Sequence, residues 1–169
     1  MLFLQFQLDD DRFVLDAGRV AEVLPLVELR RLPQSPPEVA GLCNYRGQPV
    51  PVLDLARLLL GRPAREALST RILVLHHRAA ADQPALLGVI VEQATEIFRR
   101  DPREFTTGAV PGLGPVLTDS QGMIQWIDPE QLVPAHLHAR LLPPTIPKTA
   151  SVAASGDGVT VNHAGDETD

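Results

Sequence analysis

Short runs in which apolar and polar residues alternate, interrupted repeatedly by proline and glycine, restrict this chain to a narrow class of folds. Leu4, Phe6 and Leu8 alternate with two glutamines, and a similar period of two recurs at 85–91. Alternation of this kind places the apolar side chains on one face of a β-strand. The 16 prolines and 12 glycines among 169 residues keep the strands short, which favours an antiparallel sandwich or barrel over βαβ units.

Further strands are predicted where short apolar runs end at proline, glycine, aspartate or serine. They lie at 13–15, 21–24, 48–53, 71–76, 94–98 and 123–127. Two helices are indicated in addition. The first has Asp54 as its N-cap and Gly61 just past its end. The second begins at Asp128, has Pro129 in its first turn and continues to a stop at Pro143.

The order of these strands suggests two successive sets of about five, each able to close into a small barrel. We predict a first barrel at about 13–66 and a second at about 70–128, with the N-terminal strand associated with the second. No internal repeat supports this division. After residue 142 the chain turns to proline and then to small and acidic residues. The predicted domain therefore covers 1–142, and 143–169 is predicted to be a disordered tail.

The net charge and the cysteine count limit the kinds of function that this chain can have. A net charge of -6 disfavours nonspecific binding to nucleic acid or anionic membranes, since both depend on neutralising phosphates with lysine and arginine. One cysteine, Cys43, provides neither a disulfide nor a thiolate metal cluster, which suits a reducing cytoplasm. No run of 18 apolar residues is present, so we expect no direct membrane insertion.

The residues that could carry chemistry are poorly arranged for it. His76 and His77 are adjacent, so on a strand they point to opposite faces and cannot both bind one ion. Cys43 lies in an apolar run and is predicted to be a buried thiol. The acidic run 9–11 is predicted to be a solvated hairpin turn rather than an acid–base pair. We therefore expect no enzyme activity, no metal and no cofactor.

The segment 41–55 is the most informative part of the chain. Two apolar runs are joined across 44–47, where Gly47 can adopt a positive φ, so a tight reversal with Arg46 at its corner is predicted. Pro49 and Pro51 lack amide hydrogens on the same side of the strand, which indicates an edge or a barrel opening. This corner is either a docking surface, or a hairpin whose arginine only bonds local carboxylates or carbonyls.

Five motifs, in the same order along the chain, resemble those of CheW-like chemosensory coupling proteins. The most specific is NYRG at 44–47 followed by VPVLDL at 50–55. The others are FQL with FVL at 6–8 and 13–15, VAEVL at 20–24, LPQSP at 32–36 and LGVIVEQA at 87–94. The resemblance as a whole covers residue 3 to about residue 132.

The resemblance implies a mainly β fold of two small five-stranded SH3-like barrels packed together, with one or two short helices and a hydrophobic groove between the barrels. It implies a non-catalytic adaptor that couples a methyl-accepting chemoreceptor to a CheA-like histidine kinase in a two-component chemosensory pathway. The implied partners are the receptor's cytoplasmic hairpin tip and the regulatory domain of the kinase. The implied location is the cytoplasm, at membrane receptor arrays held through those partners.

The resemblance also implies positions that bind the kinase or the receptor. Arg46 matches the family's arginine implicated in coupling, and Val20, Glu22 and Gly41 match partner contacts on the first barrel and its edge. A last group falls where apolar side chains would support or line the groove. It consists of Val50, Val52 and Val91.

The sequence departs from the family pattern at four places. Tyr45 replaces the usual leucine, Pro49 an aliphatic residue, and Glu92 an aspartate, while Ala56 stands where arginine often occurs. These departures suggest a dedicated pathway, served by a second coupling protein of the Wsp type. A free-standing regulatory module that binds a peptide or small ligand in the groove is the alternative function.

Overall fold

Ten strands, three short α-helices and two single-turn 3₁₀ helices form the regular structure of the described residues, which are 1–78, 84–107 and 114–141 of a computed structural model. The strands are β1 (Leu2–Leu8), β2 (Asp11–Asp16), β3 (Val20–Pro25), β4 (Val39–Tyr45), β5 (Gln48–Asp54), β6 (Arg71–Arg78), β7 (Pro84–Val91), β8 (Glu96–Arg99), β9 (Val116–Asp119) and β10 (Gly122–Trp126). The helices are α1 (Leu55–Leu60), α2 (Pro129–Leu132) and α3 (Ala135–Leu141). The predicted mainly β class is confirmed.

The strands form two five-stranded sheets. The first sheet has the order β8–β1–β2–β10–β9, and the second has the order β3–β6–β7–β5–β4. Neighbouring strands are antiparallel except for β2 with β10 and β5 with β7, which are parallel. The chain therefore starts in the first sheet, builds all of the second, and returns to complete the first.

The predicted assignment of strands to barrels at 13–66 and 70–128 is wrong. Strands β6 and β7 belong to the second sheet, and β1 and β2 belong to the first. The reason is burial: 72–75 is fully buried, so β6 needs a neighbour on each side, and β3 and β7 provide them. The predicted tail at 143–169 lies outside the described residues.

The predicted helix starts are confirmed. Asp54 accepts a hydrogen bond from the Arg57 amide at 3.1 Å, and Gly61 ends α1 with a φ of 70°. Asp128 caps α2 by accepting a hydrogen bond from the Glu130 amide at 3.0 Å. The second predicted helix is interrupted, because Pro134 has no amide hydrogen to continue it and the chain restarts as α3.

Three apolar clusters hold the sheets, and one of them lies within the second sheet. An aromatic cluster packs among the strands of the first sheet. Phe3 and Phe105 lie at its centre, and their ring centroids are 5.1 Å apart. The largest cluster joins β1 to β6 and β7 through residues such as Phe6, Leu75 and Val89. It is the core between the two sheets, so their mutual packing is mainly apolar.

Candidate docking surface

A two-residue turn connects β4 to β5. Arg46 and Gly47 both have positive φ, at 52° and 81°, the combination that defines a type I′ hairpin turn. Asn44 fixes the turn because its side-chain oxygen accepts a hydrogen bond from the Gly47 amide at 2.9 Å. The reversal predicted at 44–47, with Arg46 at the corner, is confirmed.

The side chain of Arg46 reaches across to β3. Its Nη2 lies 3.0 Å from Glu22 Oε2, and its guanidinium carbon lies 5.1 Å from the centroid of the Tyr45 ring. The Glu22 carboxylate also accepts a hydrogen bond from the Tyr45 hydroxyl, which raises the pKa of Tyr45. The contacts among Glu22, Tyr45 and Arg46 connect β3 with the end of β4, and these are the two outer strands of the second sheet. We call these three residues the seam.

The seam is exposed, so its ion pair adds little to folding. The Arg46 side chain is 76% exposed and that of Glu22 is 37% exposed, and pairs of this kind stabilise a fold by about 1 kcal/mol or less. A guanidinium has five N–H donors, and Arg46 uses one of them on Glu22. Local pairing and an accessible docking group therefore coexist at this corner.

Next to the seam, one side of the first half of β5 pairs with no strand among the described residues. β5 pairs with β4 from Gln48 to Leu53, but it pairs with β7 only from Val52 onward. Pro49 and Pro51 cannot donate to a neighbouring strand, which explains why the β5–β7 ladder stops there. The predicted opening at this edge is confirmed.

The three valines assigned to the groove are core residues. Val50, Val52 and Val91 are 1%, 0% and 0% exposed. They cannot line an open groove, and this part of the prediction is wrong because all three side chains are buried, with Val52 and Val91 packed in the apolar clusters. A supporting role beneath the surface stays a prediction.

Gly41 and Val20 have structural surroundings that differ from those of the seam. Gly41 has a φ of 148°, and a Cβ placed there would lie 2.6 Å from the Arg30 carbonyl oxygen. The absence of a side chain lets Arg30 exchange two backbone hydrogen bonds with Leu42, at 2.9 and 2.8 Å. Val20 is half-buried against the core between the sheets.

None of the residues predicted to bind a partner lines the groove between α1 and the first sheet. Leu59 and Leu60, 46% and 37% exposed, face Trp126 across a cavity of about 390 Å³. Asp11 and Asp128 also line it. We call it the α1 groove. Its walls come from distant parts of the chain, so no local pattern could reveal it.

A charged cluster beside the sheets was also missed. Arg62 contacts both Asp9 and Glu92, at 2.7 and 2.6 Å, and Arg65 contacts Asp9 at 2.7 Å. The hydrogen bonds from Arg62 hold the pKa values of Asp9 and Glu92 below their ordinary ranges. We call these four residues the clasp. The spacing of its members along the chain carries no signal.

Comparison with known families identifies the family to which the chain belongs. A family model described as the CheW-like domain matches residues 2–136. The chain belongs to the CheW-like domain family. This family is non-enzymatic, which agrees with the expectation that the chain is not an enzyme.

Two curated proteins are similar to this CheW-like domain. Protein FrzA of Myxococcus xanthus is 38% identical over 72 residues, which is 43% of this chain and 45% of the relative. Chemotaxis protein CheW of Helicobacter pylori is 31% identical over 98 residues, 57% of this chain and 56% of the relative. The chain thus spans about half the length of the curated relatives it matches.

A solved structure supports the fold of the CheW-like domain. The scaffolding protein TtCheW from Thermoanaerobacter tengcongensis has a TM-score of 0.68 and 23% sequence identity, over 78% of this chain and 86% of that chain. At this identity the similarity concerns the fold alone. The two five-stranded sheets correspond to the SH3-like barrels that the resemblance implied.

The described histidine, cysteine and acidic residues do not form a metal-binding group. His76 is exposed and the adjacent His77 is buried, as their opposite faces predict. Within 1–78, 84–107 and 114–141, no three histidine, cysteine or acidic residues are grouped so that they could hold a metal ion. None of the described helices is long and apolar enough to cross a membrane.

Proposed function

We propose that this CheW-like domain is a chemosensory scaffold that couples a chemoreceptor to a CheA-like histidine kinase. The observation that carries the proposal is the exposed seam, where Arg46 keeps 76% of its side chain in solvent beside Glu22. The similarity to proteins named Chemotaxis protein CheW and FrzA supports a role in such a pathway. The domain would act in the cytoplasm, at receptor arrays to which its partners attach it.

A coupling protein needs two docking surfaces that can be occupied at once. The seam lies where β5 begins, and α1, one wall of the α1 groove, starts where β5 ends. Seven strand residues at about 3.3 Å each separate the two surfaces by roughly 20 Å. We assign the seam to the kinase's regulatory domain and the α1 groove to the receptor's helical hairpin tip.

The chemistry of each surface fits its assigned partner. The seam offers one cation and one anion beside an unpaired strand edge, which suits a polar contact between rigid β domains. The α1 groove offers Leu59, Leu60 and Trp126 as apolar anchors, which suits the apolar face of a helix. Each contact is small, and repetition in an array supplies the strength of the assembly.

Capture assays with the full chain test the two assignments separately. Arg46→Glu should abolish capture of the kinase's regulatory domain and leave capture of a receptor cytoplasmic fragment intact. Leu59→Glu should do the reverse. Arg103→Glu and Leu68→Glu are the matched controls, because both residues are exposed and lie outside the two surfaces.

The same assays can refute the proposal. Retention of both partners by Arg46→Glu and by Leu59→Glu would overturn the assignment of the surfaces. Failure of the unaltered chain to capture either partner would overturn the coupling function. In that case, a peptide bound in the α1 groove and lost with Leu59→Glu would support the alternative of a free-standing binding module. The Wsp-type pathway stays a prediction.

A further inference from the structure

Strand β8 forms an open end of the first sheet. It pairs with β1 on one side, and no strand in the described part of the chain pairs with its other side. The amide of Arg100 donates to the Met1 carbonyl at 3.1 Å, and the Met1 amino group donates to the Arg100 carbonyl at 2.9 Å. Antiparallel hydrogen bonds alternate, so Phe98 and Glu96 also face β1. The backbone groups of Ile97 and Arg99 therefore point outward.

The side chains along this edge include both apolar and charged residues that are exposed. Ile97 is 61% exposed, and Leu2, which lies opposite Arg99 on β1, is 45% exposed. Glu96 and Arg100 are exposed, and neither takes part in an ion pair with another described residue. The edge thus presents outward backbone groups, an apolar residue and exposed charged side chains of both signs.

We propose that this edge binds the same edge of a second copy of the chain. The two β8 strands would pair antiparallel about a twofold axis at Phe98. Ile97 of each copy would then lie opposite Arg99 of the other, so their four outward N–H groups and four outward carbonyls are paired as N–H···O=C bonds. Glu96 of each copy would lie opposite Arg100 of the other, which places opposite charges together at both ends.

The charge order selects this register over its alternatives. Only registers that pair outward-facing residues with each other can form hydrogen bonds. Pairing Ile97 with its own copy would set Glu96 opposite Phe98 and leave the charges unmatched. Pairing Arg99 with its own copy would place two like charges opposite each other, which is destabilising. Of these three registers, only the one centred on Phe98 forms the backbone hydrogen bonds and also brings Glu96 opposite Arg100.

A second copy is favoured as the occupant because the edge complements itself. Charged side chains usually protect an edge strand from pairing with other chains. Here the same charges become matched pairs under a twofold axis, which is the symmetry of most homodimers. The contact is short, so it forms a weak dimer whose population depends on concentration. Pairing at β8 leaves the seam on the second sheet free, so the proposed dimer is independent of the proposed coupling function.

Sedimentation equilibrium of the full chain over a concentration series tests the proposal. The apparent mass should rise from 18.4 kDa toward twice that value. Ile97→Pro should keep the chain monomeric, because it removes an outward amide that β1 does not use. Glu96→Arg should weaken association about tenfold or more, because two attractive pairs become repulsive. The double variant Glu96→Arg with Arg100→Glu should restore it.

The controls separate edge pairing from general effects. Glu66→Arg makes the same charge change at an exposed residue elsewhere and should leave association unchanged. Circular dichroism should show that Ile97→Pro retains the fold. A chain that stays monomeric at all concentrations would overturn the proposal. So would association that persists unaltered in Ile97→Pro, or a double variant that associates no better than Glu96→Arg.

Discussion

Glu92 holds the guanidinium of Arg62 through both carboxylate oxygens, with contacts of 2.6 Å to Nη1 and 3.1 Å to Nη2, while only 3% of its side chain is exposed. The same guanidinium donates to Asp9 at 2.7 Å. Glu92 follows β7 of the second sheet, and Asp9 lies in the turn between β1 and β2 of the first. Arg62 therefore ties the two sheets together with charge as well as with apolar packing.

Replacing Glu92 with glutamine should destabilise the fold. The substitution keeps the shape but leaves the cationic Arg62 without its buried counterion. Breaking a fully buried pair costs about 3–5 kcal/mol. Because the Arg62 side chain is 26% exposed, we expect a smaller loss of about 2 kcal/mol. Urea unfolding measures it, with Glu66→Gln as the exposed control, and equal midpoints for the two variants would contradict a stabilising role for the clasp.

The clasp should also make stability depend on pH in the acid range. Arg62 holds the pKa of Glu92 below its ordinary value of 4.5, chiefly by hydrogen bonding. A carboxylate with a lowered folded-state pKa contributes stability above its unfolded pKa and loses it as the pH falls through the folded one. The difference in unfolding free energy between the unaltered chain and Glu92→Gln should be full near neutral pH and shrink below pH 4.5. A difference that stays constant down to acid unfolding would refute this.

Local pattern was sufficient to predict most strands and the decisive turn. The period of two located the strand at 4–8, the residues Asn44 and Gly47 located the hairpin corner, and Asp54 with Gly61 bounded α1. Each of these features depends on neighbours within a few residues, so the sequence carries it directly.

Pairing across long distances could not be predicted from the same patterns. β6 pairs with β3, about 50 residues earlier, because a fully buried strand requires neighbours on both sides. The clasp joins Asp9 to Arg62, and the α1 groove brings together Leu59 and Trp126, which are far apart in the sequence. Similar apolar runs at 48–54 and 71–75 offer no local reason to prefer one partner strand over another.

Gly41→Ala should destabilise β4. The added methyl group would lie 2.6 Å from the Arg30 carbonyl oxygen, and the residue would keep a φ of 148° that favours glycine. We expect a loss of about 2 kcal/mol or more in unfolding free energy. Gly47→Ala is the matched control, since it also has a positive φ but nothing lies within 4 Å of the new methyl group. Equal losses in the two variants would show that crowding at Gly41 is unimportant.

The thiol of Cys43 should react slowly in the folded protein. It is 4% exposed, and its burial raises its pKa above the ordinary value. Because the thiolate is the reactive form, both access and ionisation are suppressed at neutral pH. Labelling with a disulfide reagent should be much slower in buffer than in denaturing urea. Comparable rates in the two conditions would show that β4 opens readily and that this part of the sheet is not rigid.

Charge reversal at the seam can separate local stabilisation from docking. Arg46→Glu places a second carboxylate beside Glu22, yet the exposure of both side chains limits the loss of stability to about 1 kcal/mol. Its effect on binding should be larger, about 2–5 kcal/mol at the kinase interface, if Arg46 becomes buried and paired there. The double variant Glu22→Arg with Arg46→Glu restores the local ion pair but presents its charges in the opposite order. Unfolding free energy should therefore recover in the double variant while capture of the kinase's regulatory domain does not. Recovery of both would mean that Arg46 serves only to hold β3 against the hairpin.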